Sequence, residues 1–304
     1  MLRDILANSP DILAAVDLID RVAPDILLLT GMDGDASNHA INAFAGLLSA
    51  RDQTQRYVFA SPGNRGRDRD IDRNGNGRLG EPADAQGYAA FVGQGGMAIV
   101  SRFPILVEDS HDFSDVLWFD LPDAQAQGAS KDQRLSTTAH WDIAVDLLSN
   151  TAIRLWAWHA TPPVFDGPED RNGRRNADET RFWQLYLDRA LPFQPADAPF
   201  VLFGDANLDP HDGDGHSAVM ASLLSHPMLQ DPMPRSDSPQ SNDPGHAGDP
   251  ALDTAIWGGQ VGSLRVDYVL PSQHWQVLDA GIAWSDDDDI ASRHGLVWVD
   301  LRLR

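Results

Sequence analysis

The sequence contains no cysteine among its 304 residues. This absence excludes disulfides, thiolate metal ligands and a cysteine nucleophile, and it leaves the redox compartment open. The chain has no run of about 18 apolar residues, so we predict no membrane span. Its start has no basic region followed by an apolar region and a cleavage site, so we expect no signal peptide in the sequence as given.

Basic residues are scarce relative to acidic ones, since 23 Lys and Arg stand against 45 Asp and Glu and give a net charge of -22. Sequence-independent binding of duplex nucleic acid depends on neutralising phosphates with Lys and Arg. The charge therefore argues against nucleic acid and favours a small or neutral ligand, or an anion held by a metal. With 42% hydrophobic residues and no evident linker or repeat, we predict one domain over residues 1–304.

An apolar β-type run leads into a polar motif at residues 200–210, FVLFGDANLDP. The run stops at Gly204 and places Asp205 and Asn207 at the carboxyl end of the predicted strand, where open α/β sheets carry their sites. Side chains at i and i+2 face the same way. A carboxylate and an amide there suit a hard divalent cation or a phosphate-bound water. The alternative is an ordinary strand followed by an Asx turn.

Three more segments each carry a polar side chain at the edge of an apolar β-type run. They are WHATPP with His159, LRVDYVLPS with Asp267, and SRHGLVWVDL with His294. The residues before the prolines of the first segment are held extended, which fixes His159 at a stiff strand end.

Together with GQGGMAIVSRFPI and HATPPVFDGPEDRNGRRN, these segments resemble the endonuclease/exonuclease/phosphatase superfamily, and more narrowly its bacterial branch of predicted secreted phosphatases or phosphodiesterases. The resemblance extends from residue 24 to residue 301. It implies an α/β fold, a four-layer sandwich of two mixed β-sheets flanked by helices. It also implies metal-dependent hydrolysis of a small phosphorylated substrate, with Mg²⁺ or Mn²⁺ as the catalytic metal.

The resemblance assigns roles to five residues. Asp205 and Asn207 would position the metal and the nucleophile, and His294, oriented by Asp267, would act as general base. His159 would contact the phosphoryl oxygens. Asp267 would fix the tautomer of His294.

A polar cluster, Arg174, Arg175 and Asn176, precedes a predicted helix over residues 177–191. Guanidinium groups at a helix start can fork onto a phosphate, so these residues are candidates for substrate binding. The alternative is a solvated surface cluster.

Three positions depart from the pattern of the superfamily. Gly31 stands where the resemblance places a metal-binding Glu, and Asp33 is the candidate replacement ligand. Arg293 stands where relatives carry an Asp, so it would reverse the local charge or hold substrate phosphate directly. The central strand that opens related chains, ending in an Asn ligand, is not found before residue 2. We expect a late gene start or a truncation, which would also remove a signal peptide; export or periplasmic location would follow in that case, and cytoplasmic location otherwise.

The run DIDRNGNGRLGE over residues 70–81 matches the spacing of a calcium loop. Side-chain oxygens on alternate residues would wrap Ca²⁺, Gly75 would allow the sharp turn, and position 7 would give its backbone carbonyl. The alternative is a hydrophilic surface loop. The candidate ligands are Asp70, Asp72, Asn74, Asn76 and Glu81.

Two further segments have open interpretations. Residues 109–130 are rich in Pro, Gly, Asp and Gln and predict a long surface excursion. His140 either borders the pocket or is a hydrogen-bonded structural histidine.

The sequence thus favours a metal-dependent phosphoesterase whose metal ligands are depleted, with activity near background. The first alternative is an inactive, calcium-stabilised binding protein of the same fold. The second, disfavoured by charge, is a nuclease.

Overall fold

Two central β-sheets pack face to face, and helices cover their outer faces. The structure, a computed structural model, describes residues 1–147, 151–238, 245–259, 261–286 and 292–304. The helices of this described part are α1 Leu2–Leu6, α2 Pro10–Val22, α3 His39–Asp52, α4 Arg171–Leu187 and α5 Ser217–Leu224. The strands are β1 Ile26–Met32, β2 Tyr57–Ser61, β3 Gly96–Ser101, β4 Ile105–Asp112, β5 His140–Leu147, β6 Thr151–His159, β7 Phe200–Asp205, β8 Ala255–Gly258, β9 Gly262–Leu264, β10 Asp267–Pro271, β11 Trp275–Ala283 and β12 Leu296–Leu303.

The two central sheets differ in strand direction. The smaller has the order β1-β3-β2 and is antiparallel throughout. The larger has the order β10-β7-β6-β5-β4, and it is mixed because β6 and β7 run parallel while its other pairs are antiparallel. β11 pairs with β12, and β8 pairs with β9, in two further two-stranded sheets.

Alternating side chains on the strands build three separate cores. On β3, Ala98 and Val100 face α2 and α3, whereas Met97 and Ile99 face the larger sheet. On β6, the outward-facing tryptophans pack with α4 and α5. Since strand side chains alternate between faces, each buried strand needs apolar residues at successive positions. The result is helix, sheet, sheet, helix: the four-layer α/β sandwich predicted from the sequence.

The strands near the site are confirmed. The helix predicted over residues 177–191 exists, but it is α4 Arg171–Leu187, so the polar cluster of residues 174–176 lies within the helix and not before it. The predicted surface excursion over residues 109–130 is wrong. β4 continues to Asp112, and the chain after it contributes Trp118, Leu121 and Ala126 to the core beneath α4. The Trp118 indole nitrogen donates a 2.7 Å hydrogen bond to Asp178 on that helix. Three buried apolar residues spaced among polar ones gave no periodic signal. Nowhere in the described residues does a helix combine the length and apolar character needed to cross a membrane.

Candidate active site

The register of three neighbouring strands brings the candidate site together. Asp205, the last residue of β7, pairs with His159 at the end of parallel β6. On its other side Asp205 pairs with Asp267, the first residue of antiparallel β10. The carboxyl ends of two strands and the amino end of a third therefore meet at one edge of the sheet. Three polar residues distant in sequence become lateral neighbours.

Gly204 permits the close strand pairing just before this edge. A Cβ atom at this position would lie 2.0 Å from the carbonyl oxygen of Trp158 on β6. No side chain can be accommodated without displacing backbone. The glycine thus allows β7 to deliver Asp205 directly beside His159.

Asp205 is a buried carboxylate with few donors. Its Oδ1 accepts the backbone N–H of Asn207 at 2.8 Å, and its Oδ2 lies 3.4 Å from Nε2 of His159. Asn207 has a left-handed backbone, with φ of 47°, and its side chain donates to the carbonyl oxygen of Ala160. Burial, reinforced by the neighbouring Asp267 charge, raises the pKa of Asp205 well above its usual range. Binding of a proton or a cation to Asp205 is therefore favourable.

His294 is held by Asp267 across a long sequence separation. The His294 Nδ1 lies 2.8 Å from Oδ2 of Asp267, and the Thr254 hydroxyl donates to the same oxygen at 2.8 Å. The Trp257 ring stands edge-on to the imidazole at 5.6 Å between centroids. Burial lowers the pKa of His294, but the Asp267 carboxylate outweighs burial and raises it to about 10. His294 is consequently an imidazolium at neutral pH, the opposite of the charge state that a general base requires.

The pKa of His159 is shifted in the opposite direction. Burial, together with the positive charges of Arg65 and His294, lowers the pKa of His159 to about 3. Its Nδ1 is buried and has no hydrogen-bond partner within the described residues. His159 is therefore a neutral imidazole at the floor of the site.

Arg65 is a site residue that the sequence did not reveal. Its Nε donates to the carbonyl oxygen of Gln94 at 2.7 Å, while Asp33 accepts the N–H of Gly95 at 2.9 Å. The guanidinium packs over Gly95, where a built Cβ would lie 3.4 Å from Nε and Nη2. Nη1 and Nη2 make no hydrogen bond to any residue that the structure describes. Arg65 follows β2 in a loop without periodicity, so only its fold position identifies it.

One group of described residues could hold a metal ion. Asp205, Asp267 and, when its imidazole is neutral, His294 each offer a ligand atom, and these atoms all lie within 4.8 Å of one another. Two adjacent carboxylates, one with a raised pKa, are a donor set that a hard divalent cation fits. Asp33 lies outside this group; its Oδ1 accepts the N–H of Gly95, and its Oδ2 lies 3.8 Å from the amino group of Met1.

The candidate phosphate ligands on α4 are placed in structural contacts. Arg174 donates to the carbonyl oxygens of Gln125 and Gln127. Arg175 is 6% exposed and donates to three backbone carbonyls between residues 134 and 136. Asn176 donates to the carbonyl oxygens of Thr161 and Ala206, at 2.7 Å each. These contacts tie the helix to the loops of the site, and substrate contact by the three residues stays a prediction.

The two altered family positions are also accommodated in different ways. Gly31 has φ of 78° at an irregularity in the β1–β3 pairing, and nothing lies within 4 Å of a Cβ built there. Arg293 is exposed, directly before His294. Its backbone carbonyl accepts the N–H of Ile256 on β8, which anchors the segment that carries the imidazole.

The candidate calcium loop has the turn geometry of such loops. Gly75 has φ of 72°, and Asp72 accepts the N–H groups of Asn76 and Gly77 at 3.1 and 2.7 Å. Asn76 also donates to Glu81 at 2.7 Å. The acids Asp70, Asp72 and Glu81 are not among the described groups of three that could already hold a metal. Calcium binding stays a prediction, and it would require these side chains to turn inward.

The comparisons with known proteins agree with this geometry. The sequence model of the Endonuclease/Exonuclease/phosphatase family matches residues 2–294. The chain belongs to this family. The family predicted from GDANLDP and its companion motifs is thereby confirmed, whereas the secreted branch stays a prediction.

Solved structures of the Endonuclease/Exonuclease/phosphatase family share the fold. A protein from Beutenbergia cavernae DSM 12333 matches with a TM-score of 0.59 at 21% identity, covering 97% of this chain and 66% of that one. The chain thus spans about two thirds of that relative. A protein from Leptotrichia buccalis C-1013-b gives 0.56 at 16% identity, over 98% of this chain and 94% of that one.

A third similar structure is the mannosyl-6-phosphatase of Bacteroides thetaiotaomicron VPI-5482, with a TM-score of 0.51 at 14% identity over 98% of this chain and 91% of that one. The comparison with curated proteins finds no match. Enzymes of the Endonuclease/Exonuclease/phosphatase family generally depend on divalent metals, and the described acidic cluster is consistent with one.

Proposed function

We propose that this protein hydrolyses a phosphate ester of a small molecule with the help of a divalent metal. The observation that carries the proposal is the convergence of Asp205, Asp267 and His294, whose ligand atoms lie within 4.8 Å of one another at the edge of the larger sheet. Family membership supports the reaction class.

The carboxylates of Asp205 and Asp267 would hold the metal, which fits because they repel each other and burial raises the pKa of Asp205. Mg²⁺ or Mn²⁺ would neutralise charge on the phosphoryl oxygens and lower the pKa of a bound water. A cation held between the two carboxylates would lower the pKa of Asp205 again, so Asp205 is proposed as a metal ligand and not as the proton acceptor. The raised pKa of His294 disfavours the general-base role expected for it, and no residue is assigned to that role.

The cationic and neutral groups around these carboxylates would receive the phosphoryl group. His294, kept protonated by Asp267, would donate a hydrogen bond to a phosphoryl oxygen. Arg65 offers unpaired Nη atoms on the His159 side of the site. His159, held neutral, would orient the Asp205 carboxylate through the 3.4 Å contact between His159 Nε2 and Asp205 Oδ2.

A small substrate is favoured over nucleic acid by the net charge of -22. The name of the Bacteroides thetaiotaomicron relative, a sugar phosphatase, supports a phosphomonoester as the first class to test. Its low identity leaves the substrate itself open.

The test measures hydrolysis of mono-nitrophenyl and bis-nitrophenyl phosphate with Mg²⁺, Mn²⁺ or Ca²⁺. We expect weak metal-dependent turnover that Asp205→Asn abolishes, with Asp279→Asn, an exposed acid on β11, as the control. Turnover that persists with chelator, or in the Asp205 variant, would contradict the proposal.

One observation favours the second candidate, an inactive binding protein of the same fold stabilised by Ca²⁺. The position of the family Glu is Gly31, and the candidate replacement Asp33 is engaged by Gly95 outside the cluster. Stabilisation by Ca²⁺ without Mn²⁺ binding at the Asp205 cluster and without any turnover would favour this candidate.

A further inference from the structure

A cavity lined by both apolar and acidic side chains, separate from the residues of the candidate active site, lies beside α5. Its volume is about 340 Å³, within the ordinary range of small-molecule sites. Leu224 on α5, together with Met233 and Leu252, supplies apolar wall. The loop after β7 and the segment before β8 complete the lining.

Most of the acids that line this cavity already have partners. Asp209 accepts three backbone N–H groups, those of residues 211, 212 and 265. Asp231 is held by Arg265 through hydrogen bonds of 2.6 and 2.9 Å. Asp249 lies 2.7 Å from the guanidinium of Arg235. These contacts fix the cavity wall.

Asp253 is the exception. It is 3% exposed, and its buried Oδ2 accepts no hydrogen bond from any residue that the structure describes. His246 Nδ1 lies 3.7 Å from Asp253 Oδ2, which is too long for a hydrogen bond but is an ion-pair distance when the imidazole is protonated. Burial raises the pKa of Asp253 to about 6. Above that pH the cavity contains a buried carboxylate oxygen without a donor, which is costly unless a ligand supplies one.

We infer that this cavity binds a protonated primary amine with an apolar chain, the ammonium donating to Asp253 and the chain packing on Leu224, Met233 and Leu252. The excess of carboxylates over the single lining Arg265 favours a cation. A metal ion fits less well, because among the described residues only Asp205, Asp267 and His294 come close enough together to share one. The inference does not depend on the proposed hydrolysis.

The site also adjoins the catalytic candidates through the chain. Asp253 directly precedes Thr254, whose hydroxyl donates to Asp267. Asp209 follows Asp205 and Asn207 in the same motif. An amine in the cavity would therefore contact the segments that position the Asp205 and Asp267 carboxylates.

The experiment compares three probes of equal chain length, n-hexylammonium, hexanol and hexanoate, by calorimetric titration at pH 8, where Asp253 is ionised. We expect n-hexylammonium to bind at least tenfold more tightly than either of the others. Asp253→Asn should remove this preference, whereas Asp279→Asn, which changes the same charge on the exposed face of β11, should retain it. Because Asp253→Asn removes an unpartnered buried charge, the variant should melt at no lower temperature than the native protein.

Methyl NMR on the native protein tests the location without any variant. Shifts on adding n-hexylammonium should centre on Leu224, Met233 and Leu252. Equal binding of hexanol, shifts centred elsewhere, unchanged affinity in Asp253→Asn, or displacement of the amine by Ca²⁺ through Asp253 would each overturn the inference.

Discussion

Asn176 donates a 2.7 Å hydrogen bond to the carbonyl oxygen of Ala206, the residue that directly follows Asp205. Its second amide hydrogen goes to Thr161, two residues after His159. One fully buried side chain on α4 therefore links the ends of β6 and β7. This link adds to the β6–β7 pairing that places His159 beside Asp205.

Asn176→Ala should lower the free energy of unfolding by about 2 kcal/mol, because two buried carbonyls lose their donors. Asn172→Ala on the same helix is the matched control, since Asn172 is half-buried and donates to Val164 alone. Denaturant unfolding of both variants measures the difference. Equal losses of stability would contradict the linking role.

On mild acidification, His140 should contribute a loss of stability. This buried imidazole lies 2.9 Å from the carbonyl of Glu179 and 2.5 Å from the Ser136 hydroxyl, contacts that the neutral form satisfies with Nε2 donating to the carbonyl and Nδ1 accepting from the hydroxyl. Burial lowers its pKa to about 4 in the folded state. In the unfolded chain the pKa of histidine is about 6.5, so below this pH the unfolded chain binds a proton that the folded chain does not bind. The stability from His140 is therefore lost as pH falls from about 6.5 toward 4.

The full effect of this histidine is about 3 kcal/mol. We expect His140→Gln to flatten the pH dependence of the unfolding free energy between pH 7 and 4.5. His111→Gln, at an exposed position on β4, should leave the slope unchanged. Parallel slopes for native protein and His140→Gln would show that the imidazole does not resist protonation.

Arg65→Gln tests the cationic side of the candidate site. If its free Nη atoms receive phosphate, the substitution should weaken inorganic phosphate binding by about tenfold and raise KM more than it lowers kcat. Arg67→Gln is the control, because Arg67 lies two residues away and donates to the carbonyl of Gly63. Calorimetry with phosphate gives an answer even without turnover. An unchanged phosphate affinity would remove Arg65 from the proposal.

The sequence predicted the site residues that lie at strand ends and missed those that lie in loops. Asp205 and His159 end apolar strands and Asp267 begins one, so strand pairing alone brings them together. Arg65 and Thr254 reach the site from segments without periodicity, and tertiary contacts alone place them. Arg175 and Asn176 were recognisable as a cluster, but their burial against backbone carbonyls depends on how α4 packs.

Charge states were also inaccessible to sequence reasoning. The histidines 159 and 294 have the same chemistry, yet burial and Arg65 keep one neutral while Asp267 keeps the other charged. Distances of a few ångströms decide this difference, and the chain order of the motifs does not contain them.

The loop over residues 70–81 should bind Ca²⁺ and stabilise the fold by ligand linkage, about 2.7 kcal/mol at one hundred times the dissociation constant. Asp72 is the ligand to test, because its carboxylate already organises the turn through Asn76 and Gly77. Millimolar Ca²⁺ should raise the melting temperature over chelator, and Asp72→Ala should remove the rise while Asp279→Ala retains it. The same melting temperature in both conditions would leave an ordinary surface loop.

Because Gly31 and Arg293 replace acids of the family pattern, turnover of the native protein should be near background. Arg293→Asp replaces an exposed cation beside His294 with a carboxylate, so Mn²⁺ affinity should rise on the order of tenfold, or 1.4 kcal/mol. Arg302→Asp makes the same change of net charge on exposed β12 and should leave Mn²⁺ affinity unchanged.

Gly31→Glu has space for its side chain, but φ of 78° there disfavours any residue with a Cβ and should lower stability by about 1 kcal/mol. We therefore expect Arg293→Asp to restore more metal binding than Gly31→Glu, as measured by calorimetry with Mn²⁺. Equal Mn²⁺ affinity in Arg293→Asp and Arg302→Asp would mean that the charge at position 293 does not act on the Asp205, Asp267 and His294 cluster.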